Sequence, residues 1–455
     1  MIPPREKCFV ADTMPDFDFP AAEKILCDLE NMIRRNPSIR SFMVVPMEDN
    51  ENRSPVLHQE DSLALGSWCV QPLHLYTYRR VMDYRRERHH RREDPRTIAR
   101  WLLGVLLFTP NVTTFWNMRR ELVRAGRLDV REELSLTRPV LYNTPKTFEA
   151  FSYRSWLMPL ALDAEQADVA HRPEPGTSAI ATAELELAET CADRYANNYH
   201  AWCYRRHLVT LCESRGLRHP SVESEWTSTL AWCWRHVSDH SAYSYRQFLL
   251  RKCVLAAAKA ATISPTEMDS NVWHDEERHK REDKLFLYMS LHISESNQAI
   301  LERMRQIMSG DHRHDYSIID AHKLRCYLTA LSYWAEECSS NDQLLTMYCE
   351  HETLWCHRRF LAHTLALLAL MYLKHACYRE DDFLDNQSRR YQWLAPLFQE
   401  THADQDNDPL ITVHSMIIHT FRATNMKLFG VTFKRSHEKA YIQRYFEQVA
   451  IVGLQ

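Results

Sequence analysis

The sequence predicts an all-α protein, a right-handed superhelical solenoid of helical hairpins. Three observations predict it. A short cassette (an aromatic residue, an arginine three positions later, then an apolar run) occurs five times in 455 residues. Glycine, which sheets and tight turns use heavily, supplies only 8 residues, far below the usual ~7 %. Aromatic side chains are abundant, with 12 tryptophans and 20 tyrosines, which suits packing of helix on helix. A repeat unit that cannot bury its own apolar face must stack on a neighbour, so the repetition governs the reading of the whole chain.

Aligned on the arginine, the copies are Phe115-Trp116-Asn117-Met118-Arg119, Ala150-Phe151-Ser152-Tyr153-Arg154, Ala201-Trp202-Cys203-Tyr204-Arg205, Ala242-Tyr243-Ser244-Tyr245-Arg246 and Leu354-Trp355-Cys356-His357-Arg358. At a spacing of three, aromatic and arginine share a helical face. Apolar pairs follow three and four residues past each arginine: Leu122-Val123, Leu157-Met158, Leu208-Val209, Leu249-Leu250 and Leu361-Ala362. This describes a helix with a wide buried face. Thr113, Thr147, Asn198 and Asp239 are candidate N-caps, with Pro110 and Pro145 just outside. Each cassette is thus one helix of a hairpin. The aromatics fill the space between helices, and the arginines tie neighbouring hairpins to carboxylates or helix C-termini. A ridge of arginines facing a partner is the other reading.

In chain order, residues 1–70 form an N-terminal segment, loosely ordered over 1–20, with one amphipathic helix over 20–35 (Ala21, Ile25, Leu26, Leu29, Met32, Ile33). Residues 41–46 are short and apolar and read as extended, and 49–54 as a turn. Residues 71–261 hold repeats one to four, after a helix over 68–82. A polar loop covers 163–180, and 227–234 belongs to the helix between repeats three and four. Residues 262–345 show no legible cassette and read as a divergent insertion, part helix and part flexible, with a decayed repeat as the alternative. Residues 346–455 carry the fifth repeat, a long apolar helix over 361–372, a polar loop over 380–409 and a last pair of helices with Arg444, Tyr445 and Phe446 on the final one.

The formal net charge is −4, so nothing global recruits nucleic acid or an anionic membrane. Thirteen scattered cysteines form no Cys-x-x-Cys pair, which argues against a zinc ribbon or a thioredoxin-like centre and for reduced, buried thiols in a cytoplasmic protein. No apolar run approaches ~20 residues, so no membrane span is expected. Met1-Ile2-Pro3-Pro4-Arg5-Glu6 does not read as a signal peptide. Residues 79–92 hold seven arginines with His89 and His90. An exposed helix or linker explains them, since only Tyr84 interrupts the run, too little for base stacking. An RNA- or phosphate-binding arm and a contact for acidic tails of a partner are the sharper readings. Asp311, His312, His314 and Asp315 crowd together as loop ligands would, but without a partner cluster they read as a solvated loop, and no metal site is assigned. His351 and His357, six apart, do not face one another on a helix. No P-loop, dinucleotide fingerprint or nucleophile elbow is present.

The cassette resembles the repeat of protein prenyltransferase α subunits, a TPR-like pattern that runs Pro-x-Asn-Tyr-x-x-Trp-x-x-Arg. Three stretches sharpen the match: Asn52-Arg53-Ser54-Pro55 with Gly66-Ser67-Trp68-Cys69-Val70, Val237-Ser238-Asp239-His240-Ser241 with Tyr245-Arg246-Gln247-Phe248, and His351-Glu352-Thr353 leading into the fifth cassette. The resemblance spans roughly 25–260 and 345–450. It implies an αβ heterodimer whose β subunit, an α/α barrel, holds the zinc, the isoprenoid pocket and most catalytic residues, while the α chain is a helical crescent around it. In that family one lysine in a Pro-Lys-Asn-Tyr context reaches the isoprenoid diphosphate, and the tyrosine and histidine of an Asn-Tyr-His-Ala-Trp context line the same corner. Here Pro145-Lys146-Thr147-Phe148 and Asn198-Tyr199-His200-Ala201-Trp202 stand in those places, making Lys146, Tyr199 and His200 the candidate diphosphate contacts. Thr147-Phe148 departs from the family's Asn-Tyr and removes a phenol. The resemblance implies a non-catalytic α subunit of a protein geranylgeranyltransferase. It would pair with the β subunit of Rab geranylgeranyltransferase, meet geranylgeranyl diphosphate at the interface, and act on SNARE or Rab substrates, with no zinc of its own. The C-terminal Val452-Gly453-Leu454-Gln455 has no prenylatable cysteine and Ile2 excludes N-myristoylation, so any prenylation would be of other proteins. The alternative is a helical-repeat scaffold for trafficking proteins without prenyl transfer.

Overall fold

The computed structural model describes residues 19–48, 54–87, 93–167, 176–217, 220–261, 276–291, 298–309, 318–373, 409–435 and 440–451. The chain divides into two compact units, Met1–Pro220 and Ser221–Gln455, and both are built from stacked helical hairpins.

The first unit begins with α1 (Ala22–Arg35), whose Ala22, Ile25, Leu26, Leu29 and Ile33 form one buried stripe. Their i, i+3, i+4 spacing is what places them together. A three-stranded sheet follows: β1 (Ser41–Val45), β2 (Val56–Gln59) and β3 (Ser62–Gly66). β3 is central, parallel to β1 and antiparallel to β2. Its two-residue turn from β2 has Glu60 at φ 55, the left-handed conformation such hairpins require. This sheet departs from the all-α expectation. Only the 41–46 stretch reads as extended in the sequence, and strands of four or five residues carry too little alternation to declare themselves.

Helices α2 (Ser67–Arg86) and α3 (Pro95–Phe108) pack against each other. The contact is close at Gly104, where a Cβ would stand 2.6 Å from Thr77 Cγ2 and 2.9 Å from Leu26 Cδ2. Then come α4 (Thr113–Arg124), α5 (Val130–Asn143), α6 (Phe148–Ala167), α7 (Ala179–Arg194) and α8 (Tyr199–Ser214). α4 packs on α6 and α6 on α8, while α3 packs on α5 and α5 on α7, so the cassette helices form one layer and their hairpin partners another.

The second unit repeats the scheme with α9 (Val222–Arg235), α10 (His240–Ala260), α11 (Glu276–Ser290), α12 (Gln298–Ser309), the 30-residue α13 (Ile318–Met347), α14 (Glu352–Leu373), α15 (Pro409–Arg435) and α16 (Ala440–Ile451). α13 packs on α10, α11 and α14, and α14 on α16.

Of the four candidate caps, two cap. Asn198 Oδ1 accepts from Ala201 N, and Asp239 Oδ1 from Ser241 N and Ala242 N. Thr113 instead lies inside α4, after an N-cap Val112 with no side-chain bond, and Thr147 turns its hydroxyl back to Thr144 O. The hairpin partners bring caps of their own in Asp94, Asp129, Ser178 and Ser221, each satisfying an amide that the first turn leaves free. No helix among the described residues is long and apolar enough to cross a membrane. The cysteines among them are free thiols, and burial pushes Cys191 up to about 12 and Cys212 up to about 11.

Candidate functional site

The repeat arginines are buried, and the carbonyl partners of Arg119, Arg154 and Arg246 each lie 20 residues upstream. Arg119 on α4 donates from Nε and Nη2 to both oxygens of Glu133 on α5, at 2.8 and 2.7 Å, and from Nη1 to Ala99 O on α3. Arg154 repeats this with Glu184 on α7 and with Leu134 O and Thr137 on α5. Arg246 binds Glu337 on α13 and Trp226 O and Thr229 on α9. In each case the arginine joins the first helix of its own hairpin to the first helix of the next hairpin.

The residue before the following repeat's arginine completes the node. Tyr153, Tyr204 and Tyr245 donate hydroxyls to Glu133, Glu184 and Glu225, and His357 Nε2 donates to Glu337, over 2.6–2.9 Å and always across 20 residues. The last node uses an amide. Asn425 on α15 accepts from Arg358 and, at 2.9 Å, from Tyr445 on α16, so α15 and α16 form a further hairpin in the same register. Arg358 is also tied to Asp342, and Arg205 to Glu189 at 3.3 Å. Aromatic stacking runs parallel to the nodes. Trp116 lies on Tyr153, Phe151 on Tyr204, Tyr243 on His357 and Trp355 on Tyr445, with ring centroids 5.0–5.4 Å apart. The histidines of repeat five go separate ways, with His351 meeting Ser238 Oγ.

Ion pairs this dry cost desolvation, which only bidentate geometry and further donors offset. Burial alone would raise the Glu337 carboxyl, but Arg246 and His357 outweigh it and hold the group at about 2. Glu184 is lowered in the same sense: burial opposes, and Arg154 prevails. These glutamates lie outside the short cassette, 21 residues before the arginines of the following repeats. The constant 20-residue step from Glu133, Glu184 and Glu225 to a tyrosine is the signal that finds them.

The diphosphate candidates lie together at one edge of the first unit. Asn198, itself fully buried, caps α8 with its oxygen and donates its amide to Pro145 O at 2.7 Å and Cys191 O at 3.0 Å. One side chain thereby fixes the Pro145-Lys146 turn against the start of the helix that carries Tyr199 and His200. His200 lies between aromatics, 5.5 Å from the Phe148 ring and 5.7 Å from Tyr199. Burial and then the Lys146 charge lower its pKa, with Glu149 opposing. The hydrogen bond with Cys203 raises that of Tyr199. Phe148 and Tyr199 are 57 % and 60 % exposed, large apolar groups left facing outward at a helix-start edge. Lys146 Nζ rests 4.4 Å from the Tyr195 ring centroid and 3.3 Å from its hydroxyl, and no carboxylate among the described residues pairs with it. Tyr195, which carries no motif signal, therefore brings a phenol to the lysine whose neighbour Phe148 has none.

Among the described residues no group of three or more His, Cys, Asp or Glu side chains is disposed to hold a metal; Asp311, His312, His314 and Asp315 lie outside them. Of the 79–92 run, Arg88, His89, His90, Arg91 and Arg92 lie outside as well. Within α2, Arg80 stacks over Tyr76 and Trp101, and Arg79 and Arg86 reach Asp83.

The repeat described as "Protein prenyltransferase alpha subunit repeat" matches residues 181–212, 222–253 and 334–365. The matches put Glu184, Glu225 and Glu337 at one position and Arg205, Arg246 and Arg358 at another, and the third begins inside the 262–345 stretch. The chain is 29 % identical over 354 residues to "Protein prenyltransferase alpha subunit repeat-containing protein 1" of Homo sapiens, covering 75 % of this chain and 78 % of that one. It is also 29 % identical to the 1-B protein of that name from Xenopus laevis, over 74 % and 71 %. "Geranylgeranyl transferase type-2 subunit alpha" of Homo sapiens matches at 28 % over 155 residues, 32 % of this chain and 24 % of that protein. With its helical hairpins, its buried arginine nodes and these matches in one register, the chain carries the protein prenyltransferase alpha subunit repeat and is similar to proteins built from it.

Proposed function

We propose that this chain is the non-catalytic α subunit of a heterodimeric protein geranylgeranyltransferase, working in the cytosol with the β subunit of Rab geranylgeranyltransferase. The β subunit brings the zinc, which lowers the pKa of the acceptor cysteine and holds its thiolate as nucleophile. The α chain orients β, completes the diphosphate corner and selects the protein substrate, a SNARE already carrying one lipid or a Rab. The observation that carries this reading is the corner at Lys146. An ammonium without a carboxylate partner among the described residues sits beside exposed Phe148 and Tyr199, and Asn198 fixes the backbone that bears it. As the C–O bond of the isoprenoid breaks, charge grows on the departing diphosphate, and a preplaced ammonium stabilises that charge more than it stabilises the ground state.

The test is a labelled geranylgeranyl-transfer assay on the co-expressed pair. Lys146→Ala is expected to lower kcat by at least about tenfold, with the complex intact. Activity that ignores Lys146→Ala removes the diphosphate role. A well-folded chain whose addition gives β no transfer activity moves the function to a scaffold for trafficking proteins.

A further inference from the structure

A second polar feature lies where α4 meets α6. Arg120 and Arg124, one helical turn apart, both lie against the Trp156 ring, their guanidinium carbons 5.9 and 5.3 Å from its centroid. Arg120 also stands 5.6 Å from the Tyr153 ring and donates to Asn117 Oδ1 at 2.7 Å and Ser152 Oγ at 3.4 Å. Neither arginine is paired with a carboxylate among the described residues. Like charges at this spacing destabilise a helix, and burial together with the Arg124 charge pushes the Arg120 pKa down, against Tyr153.

The two guanidiniums open on a cleft of about 610 Å³ lined by Asn117, Arg120, Glu121, Arg124, Ser152 and Trp156. Asn117 and Glu121 also line a second cleft of about 380 Å³, with Tyr84, Arg85, Met118 and Leu122 among its other lining residues. The two clefts adjoin along Asn117 and Glu121, the first cationic and the second with both polar and apolar lining.

We infer that these adjoining clefts bind an acidic segment of a partner polypeptide, with a carboxylate bridging Arg120 and Arg124 and a neighbouring apolar side chain seated beside Met118 and Leu122. Guanidiniums already resting beside an aromatic ring, Arg120 also bonded to Asn117 and Ser152, lose less rotamer freedom when they bind a planar carboxylate. A free phosphate would leave the apolar lining of the second cleft unused. A single tryptophan already approached by two arginines offers a nucleic-acid base little stacking platform. The Met118 and Leu122 lining beside the cationic cleft favours alternation of acidic and apolar residues over a plain acidic run.

The inference does not depend on prenyl transfer, and its test uses the full chain without a β subunit. A fluorescein-labelled peptide of alternating glutamate and leucine is titrated by anisotropy. Saturable binding is expected, weakening as salt rises and falling by about tenfold or more in Arg124→Gln. Arg124 is exposed, and among the described residues its head group meets only the Trp156 ring, so this variant is expected to keep its fold, verified by an unchanged melting curve. Arg120→Gln should lose as much, and Arg124→Lys less. A peptide with glutamine for glutamate should not bind. Equal binding by wild type and Arg124→Gln would overturn the inference. So would tighter binding of pyrophosphate, or of a single-stranded RNA, that is lost on the same substitution.

Discussion

Replacing Glu184 by alanine tests whether the buried nodes hold the hairpins together. The carboxylate accepts two bonds from Arg154 and one from Tyr204, and all three side chains are buried. Glu184→Ala leaves the Arg154 guanidinium with only Leu134 O and Thr137 Oγ1, an uncompensated charge in the interior. Loss of one partner of a buried pair costs about 3–5 kcal/mol. Tyr204→Phe removes a single hydrogen bond to a charged acceptor and should cost about 1.5–3 kcal/mol. A domain holds only about 5–15 kcal/mol in total, so Glu184→Ala should remove a large fraction of the first unit's stability while the second unit, separately compact, is affected less. Urea unfolding followed by far-UV circular dichroism and tryptophan fluorescence should show the first transition moving to lower urea. A loss below about 1 kcal/mol in Glu184→Ala, or a greater loss in Tyr204→Phe, would refute the node as a structural linchpin.

Three further outcomes follow from the packing and the charges. Gly104→Ala should lower the melting temperature despite alanine's better helix propensity, because its Cβ meets Thr77 Cγ2 and Leu26 Cδ2 inside 3 Å; overpacking of this kind costs about 1–3 kcal/mol, and Thr77→Ser should restore part of it. Asn198→Ala should cost about 2–3 kcal/mol, the sum of a lost cap and two carbonyls left unpaired, whereas Asp94→Ala, at an exposed cap, should cost about 1 kcal/mol. Stability should fall in acid: the Glu337 carboxyl sits at about 2 in the folded chain against an ordinary 4.5. Its contribution, on the order of 3 kcal/mol, is present above pH 4.5 and lost as pH drops from there toward 2. Glu337→Gln should flatten that part of the stability–pH curve, and an unchanged slope would contradict the assignment.

The cassette helices are legible because one helix carries the whole signal: an aromatic, an arginine and an apolar pair on one face. Their partner helices are not, since each contributes mainly one glutamate, indistinguishable from a surface glutamate until its distance to the next tyrosine is counted. For the same reason α13, which supplies Glu337 to Arg246, falls in a stretch that shows no cassette. Caps divide by chemistry. Asn198 and Asp239 carry acceptors short enough to reach back to the first turn, while Thr147 satisfies its hydroxyl on Thr144 O. The sheet is the largest surprise, since β3 pairs with both β1 and β2, a relation between segments that no single stretch displays. At the candidate corner, Lys146, Tyr199 and His200 were readable through the motif. Tyr195 was not, because it reaches Lys146 only through the folded turn that Asn198 holds.

The most direct measurement is mass determination of the complex by size exclusion with light scattering, after co-expression with the β subunit of Rab geranylgeranyltransferase. The account predicts a stable one-to-one heterodimer, in which the edge bearing Phe148, Tyr199 and Lys146 becomes protected from solvent. Elution of the folded chain apart from β at every concentration tried would contradict it.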